Sequence, residues 1–598
     1  MPRRPALAAA LAGSLCALLG VPVSAQTSAQ TSAPASGNTG TTTAAKEANA
    51  AFHAGYAAAN AGDLEKARRS FAVVVRLEPK IPEGHAALGS VLLNLGRPSE
   101  AAAELKRGLA LRPTDANMQM NLALAEVRAG QSSEALPLFK ELSARNTALS
   151  PEVEIAYAQA LTETGQRPAA LDRLRAAVAA APDNAVLHDA LGSLLAQEQQ
   201  WAVAQPEFAR AVELDPKLIA ARLHLASVLM QLNQPADAAA TLETARAEQP
   251  QDVAVLNELA LSYTAQGSYD KALPLAQEAM RLAPDSTAAA YQAAIALQGL
   301  GREREATPLF QRVVKADPEN AGALTNYALA LVQQGRAKEA VPLYMRAVTL
   351  TPNDPVVHED FGVAYLQQSD IDDAIREFEA GLKLDSDGQQ LHYNLGLAYK
   401  LKDDTAHAIP ELELAARLDP NSPDPAYTLG ILYMQAGRFG DAEAQLRHTL
   451  ELRPENGDAW AVLGSVYRQD SKLPEAADAL RRAIALLPNQ PGPHITLASV
   501  LAEQGQRTEA AAERKQAAEL TRVAVNRQRA TFATNTGNML LAKGQVADAL
   551  SQFQDAVDSD PNYADAHSGL ATALARQGRT AEAATEREKA AALEKPAQ

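Results

Sequence analysis

Ten histidines and many closely spaced acidic residues are the groups with the most chemistry to offer in this 598-residue chain. A zinc hydrolase would set two histidines at i, i+4 on one helix face, with a glutamate between them. No two histidines here have that spacing, and the only cysteine, Cys16, cannot form a thiolate cluster by itself. Six of the ten, His85, His188, His358, His392, His494 and His567, recur at one position of a regular pattern, which marks them as packing residues. Acidic groups such as Asp370, Asp372 and Asp373, or Asp403 and Asp404, lack the glycine and distal glutamate of a calcium loop and fit a solvated face. Serine, histidine and aspartate all occur without a G-x-S-x-G elbow, and the glycines follow a long period rather than a phosphate loop. The spacings therefore supply no catalytic residue, no metal ligand and no cofactor-binding residue, and an enzyme is not expected.

The period itself is the main signal. Six-residue turns recur as GDLEKA at 62, GRPSEA at 96, GRAKEA at 335, GRFGDA at 437, SKLPEA at 471, GQRTEA at 505, GQVADA at 544 and GRTAEA at 578, among sixteen in all. Thirteen of the fifteen steps are 34 residues; the others are 35, between 130 and 165, and 39, between 505 and 544. Gly457 to Pro488 is the clearest unit. With Gly457 as position 1, Trp460, Leu463, Gly464 and Tyr467 stand at positions 4, 7, 8 and 11, one face of a helix. Ala476, Leu480 and Ala483 mark a second helix at positions 20, 24 and 27, and Pro488 ends it at position 32. Small residues let the backbones approach, and large ones fill the gaps. A hairpin of this size cannot bury its apolar faces alone, so each must lean on the next.

This pattern resembles the tetratricopeptide repeat, including its 34-residue period. The resemblance implies an all-α solenoid of helix-turn-helix units, coiled as a right-handed superhelix whose groove is lined by first helices. Spacing alone implies only an elongated stack. In the family, ligand contacts come from positions 2, 5, 6, 9, 12 and 13. Position 5 here carries Phe52, Tyr291, Tyr393 and Tyr427; position 6 carries Asn121, Asn326, Asn394 and Asn535; position 13 carries Gln435, Gln197, Gln231, Gln333, Gln367 and Gln469. The asparagines resemble the ladder in the repeats of O-linked N-acetylglucosamine transferases, at four of sixteen units. Amides can hydrogen-bond an extended backbone while aromatics hold its side chains, so the expected ligand is a protein or an extended peptide segment. The basic clamp that grips a C-terminal carboxylate in some relatives is missing: Arg128, Lys400 and Arg468 stand in separate units.

One unit breaks the rule. After the turn at 505, Arg514 replaces the large residue of position 24, no proline follows, and five residues are inserted. Thr508 to Arg529 reads as one charged, alanine-rich helix, and EAAAERKQAAEL from Glu509 matches EAATEREKAAAL from Glu582 at eight of twelve positions. That similarity suggests a former cap, with a C-terminal pair of units appended. The organisation is then 1–25 leader, 26–47 Ser/Thr/Ala linker, 48–520 main array, 521–529 helix continuation or hinge, and 530–598 C-terminal pair with a capping helix.

Arg3 and Arg4 before an apolar run, with Val23-Ser24-Ala25 as a cleavage site, resemble a secretory signal peptide cut before Gln26; an uncleaved anchor is the alternative. Removal of Cys16 with it leaves a thiol-free chain fit for an oxidising compartment. A net charge of -16 argues against nucleic acid or an anionic membrane as partner, and no membrane insertion is expected after cleavage. The reading is a non-catalytic exported scaffold, periplasmic or extracellular, that binds protein segments in its groove. The alternative is a periplasmic component of a machine exporting polysaccharide or protein through the envelope.

Overall fold

Each repeat folds as its residue pattern dictates. In the unit beginning at Gly457, the helices Gly457–Gln469 and Leu473–Leu486 are joined by a tight turn. Asn456 caps the first, its side chain accepting from the Ala459 N–H. Position 8 is glycine because position 24 occupies the space a side chain would need: a Cβ on Gly464 would lie 2.6 Å from Leu480 Cγ. The turn needs a left-handed residue. In the preceding repeat Gly437 supplies it at φ 72°, its N–H donating to Met434 O while Arg438 N–H donates to Tyr433 O, which ties off the helix end. Where glycine is absent, Gln199, Asn233, Ser369, Asp403 and Ser471 adopt the same conformation at φ 58 to 65°.

The structure, a computed structural model, describes residues 43–145 and 149–594. The leader at 1–25 and the tract up to 42 lie outside the described residues. The first helix, Thr43–Asn60, starts inside the segment assigned to the linker, because Ala44, Ala45, Lys46 and Glu47 are good helix formers with nothing to break the helix before Ala48. Among the described residues there are 31 helices and no strand, and no helix is long and apolar enough to cross a membrane. Two units divide the chain, Met1–Arg336 and Ala337–Gln598. In the first, one hydrophobic cluster runs from Ala58 to Ala330. In the second, separate clusters lie on either side of a long helix, one ending at Ala510 and others beginning at Ala530 and Leu541.

That long helix is Arg507–Ala542. It fuses the second helix of one repeat with the first helix of the next, which leaves one helix fewer than sixteen hairpins would have. Nothing between Thr508 and Thr536 is a glycine or proline, so the expected helix over 508–529 continues instead of ending. Between 507 and 529 only Ala510 and Ala517 are buried.

The position-4 histidines are pins between repeats. His85 Nδ1 lies 2.7 Å from Glu104 Oε2, and Nε2 lies 3.0 Å from Pro79 O, in the turn that follows the preceding second helix. The same two contacts recur at His188, His358, His392 and His567, and His494 keeps the glutamate. A carbonyl only accepts, so the ring nitrogen that faces it donates. Trp460 and Gln119 fill the same position and donate to Pro454 O and Pro113 O at 2.9 and 3.0 Å. In these repeats position 4 supplies an N–H donor that reaches back six residues, which the shared packing role of Trp and His does not reveal. His358→Phe should cost about 1–3 kcal/mol by stranding the carbonyl and carboxylate. His358→Trp, which keeps a donor, should cost less, read from hydrogen exchange of the 355–384 hairpin. Equal losses in both variants would show that the carbonyl bond is not what position 4 supplies.

Candidate binding face

Within each unit, successive first helices touch one another, whereas successive second helices stay farther apart. The first helices therefore form the shorter, concave side of each stack. Positions 5, 6, 9, 12 and 13 point along that side, and the sequence-predicted candidates divide between the units.

In the first unit, Phe52 is half-buried and meets Phe71 edge to face, ring centres 5.6 Å apart. Asn121 donates from Nδ2 to Ser90 Oγ at 2.9 Å. Asn326 donates to the Tyr291 hydroxyl at 2.9 Å, and burial pushes that hydroxyl's pKa up, keeping it neutral. In the second unit, Asn394 is buried, donates to Glu359 Oε1 at 3.4 Å and accepts from Gln390 at 3.2 Å. Burial raises the pKa of both Tyr393 and Tyr427. Gln435 is exposed at the end of the helix that carries Tyr427. Asn535 is exposed on the long helix, apart from the others.

Three of the bonds on this side share one rule. Position 5 of one first helix bonds position 6 of the next, 35 residues on: Asp189 with His224 at 2.8 Å, Tyr291 with Asn326, and Glu359 with Asn394. Each such bond is worth about 0.5–1.5 kcal/mol net. The amides at Asn121, Asn326 and Asn394 are thus already spent in part on a neighbouring repeat. What they present to a ligand is their remaining donor and acceptor capacity.

The second unit gathers the most apolar part of this side. Tyr393 and Leu397 on Gln389–Leu401 lie next to Tyr427 and Ile431 on Pro423–Gln435, all four half-buried. Ile495, at position 5 two repeats on, is 54% exposed. Leu397, Ile431 and Ile495 were missed because only aromatics and amides were sought; positions 5 and 9 of the same pattern would have found them. The basic residues differ from one another. Arg468 is paired with Glu503 at 2.8 Å, whereas Arg128 is half-buried, its Nε has no partner among the described residues, and burial lowers its pKa. Among the described residues no group of three or more His, Cys, Asp or Glu is placed to hold a metal.

Family models of the tetratricopeptide repeat match residues 52–116, 86–151, 126–194, 223–287, 291–355, 360–423, 427–491 and 534–597. The stretch 492–533, with the first part of the long helix, lies between matches. Cellulose synthase operon protein C of Xanthomonas axonopodis pv. citri (strain 306) is 32% identical over 158 residues, covering 25% of this chain and 10% of that protein. The chain thus matches about a tenth of that relative's length. Among solved structures, MamA is 26% identical over 27% of this chain and 94% of its own, with a TM-score of 0.26. The Cut9–Hcn1 hetero-tetramer of APC/C is 17% identical over 82% of this chain and 96% of its own, at 0.35. YrrB, described as a TPR protein with an unusual peptide-binding site, is 22% identical over 31% and 95%, at 0.28.

The ladder can be tested by a double-mutant cycle. Tyr291→Phe and Asn326→Leu should couple by about 0.5–1.5 kcal/mol in local stability. Additive effects would mean that the bond between first helices contributes nothing.

Proposed function

The chain belongs to the tetratricopeptide-repeat family, and we propose that it is a non-catalytic, exported scaffold that holds extended segments of partner proteins along its first-helix side. The observation that carries this reading is the row Tyr393, Leu397, Tyr427 and Ile431 on two adjacent first helices, flanked by Asn394 and Gln435. Two neutral phenols and two aliphatic side chains offer an extended segment pockets for alternate side chains. The flanking amides offer its backbone both donors and acceptors. Asn121, Tyr291 and Asn326 extend the same chemistry into the first unit, and Phe52 and Asn535 serve as outlying contacts. Export follows from the leader reading, and a mature N-terminus at Gln26 is its direct check.

Capture from the native envelope with the mature protein should recover specific partners. Tyr393→Ser with Tyr427→Ser should weaken them by about tenfold or more while leaving helical content unchanged. Undiminished capture of every partner by that variant would exclude this face.

A second reading is favoured by the relative named cellulose synthase operon protein C: a component of an envelope export machine whose ligand is a polysaccharide. Half-exposed tyrosines can stack on sugar rings as readily as on apolar side chains. Titration with cellohexaose separates the two readings. Heat of binding that disappears in the double tyrosine variant supports the glycan, and no heat at millimolar sugar removes it.

A further inference from the structure

The long helix exposes a surface that the rest of the chain buries. Positions 3 and 10 of a first helix pack on the second helix of the preceding repeat. Thus Gly381, at position 27, lies against Leu391, at position 3 of the following repeat, and Gly299, at position 13, lies against Tyr269, at position 17 of the preceding one. Position numbers on the two antiparallel helices sum to about 30, which sets position 10 against 20 and 21. Both positions are buried wherever a repeat precedes in regular register: Val357 and Ala364 at 4% and 0%, Leu391 and Ala398 at 3% and 0%, Ala566 and Ala573 at 0% each. In the repeat that starts at Ala530 they are Phe532 and Met539, which are 74% and 59% exposed.

The cause is the fusion at 507–542. The second helix that should cover Phe532 and Met539 continues straight into the helix that carries them. Ala518 and Phe532 are fourteen residues apart, about 21 Å along a straight helix, so the two faces cannot meet within one chain. Both faces lie on one line of that helix: Ala511, Ala518, Val525, Phe532 and Met539 follow each other every seven residues, and all five are exposed.

We propose that a second copy of this chain covers this line, the two 507–542 helices running antiparallel about a two-fold axis at Val525. That axis sets Ala518 opposite Phe532, Ala511 opposite Met539 and Val525 opposite itself, a small residue facing each large one. The pairings are those of an ordinary repeat boundary, position 28 against 3 and 21 against 10, so the interface is the one the chain already uses between its repeats. About this axis Arg522 of each copy comes beside Arg529 of the other, at the edge of the line. Arg522 and Arg527 are also paired within their own chain, to Glu519 and Asp560. The repeats after the long helix of one copy then stack on the repeat before it in the other, a domain exchange that restores the array between chains.

The test uses the full chain with Cys16→Ser. Light scattering should give twice the single-chain mass at micromolar concentration. Ala518→Lys, at an exposed position harmless to the chain's own fold, should return it to one chain, as should Phe532→Glu. Val525→Cys should form a covalent dimer under mild oxidation, while Val523→Cys, equally central but on the opposite side of the helix, should not. A single-chain mass for the parent protein, a doubled mass that survives Ala518→Lys, or equal cross-linking at 523 and 525 would each overturn the proposal.

Discussion

Every repeat in this chain depends on its neighbour, because a two-helix hairpin has more apolar surface than it can cover by itself. The contact that answers this need sets positions 3 and 10 of a first helix against the second helix before it. Its consequences reach every level of the structure. It fixes the small residues that let helices approach and buries residues such as Leu391 and Ala398 almost completely. Position 4 adds an N–H aimed back at the preceding carbonyl. At Arg507–Ala542 the contact is withheld, and there Phe532 and Met539 stand 74% and 59% exposed.

The first-helix side is shaped by the same dependence. Bonds from position 5 to position 6, as between Tyr291 and Asn326, tie adjacent helices and hold the face in one geometry before any ligand arrives. Preorganisation of that kind lowers the ordering cost of binding. It also limits what the face can say chemically: much of its polar capacity is directed at neighbours, and the open remainder around Tyr393 and Tyr427 is mostly apolar. A face of this composition suits an extended segment with alternating side chains better than a compact charged ligand.

Much of this was legible in the sequence. The 34-residue period, the glycine opposite Leu480 and the turn residues dictate the hairpins, and the break near Arg514 was visible as a missing proline and an insertion. The rest was hidden for physical reasons. The histidines look like packing residues until the carbonyl beyond Nε2 is located, because a pattern records side-chain size better than hydrogen-bond direction. Asn326 and Asn394 look free until their partners 35 residues away are known, since such pairs belong to two repeats and to neither alone. The long helix continues through Ala542 because propensity favours extension, and the repeat pattern on its far side still reads as a separate helix. Leu397 and Ile431 are ordinary core-like residues by type; only their place on the concave side sets them apart.

In the proposed function, recognition belongs to the first helices and the second helices are support. Amide hydrogen exchange on the protein with and without a captured partner segment tests it most directly. New protection should concentrate in Gln389–Leu401 and Pro423–Gln435, with Thr405–Leu418 and Phe439–Leu452 unchanged. Protection confined to those second helices would contradict it.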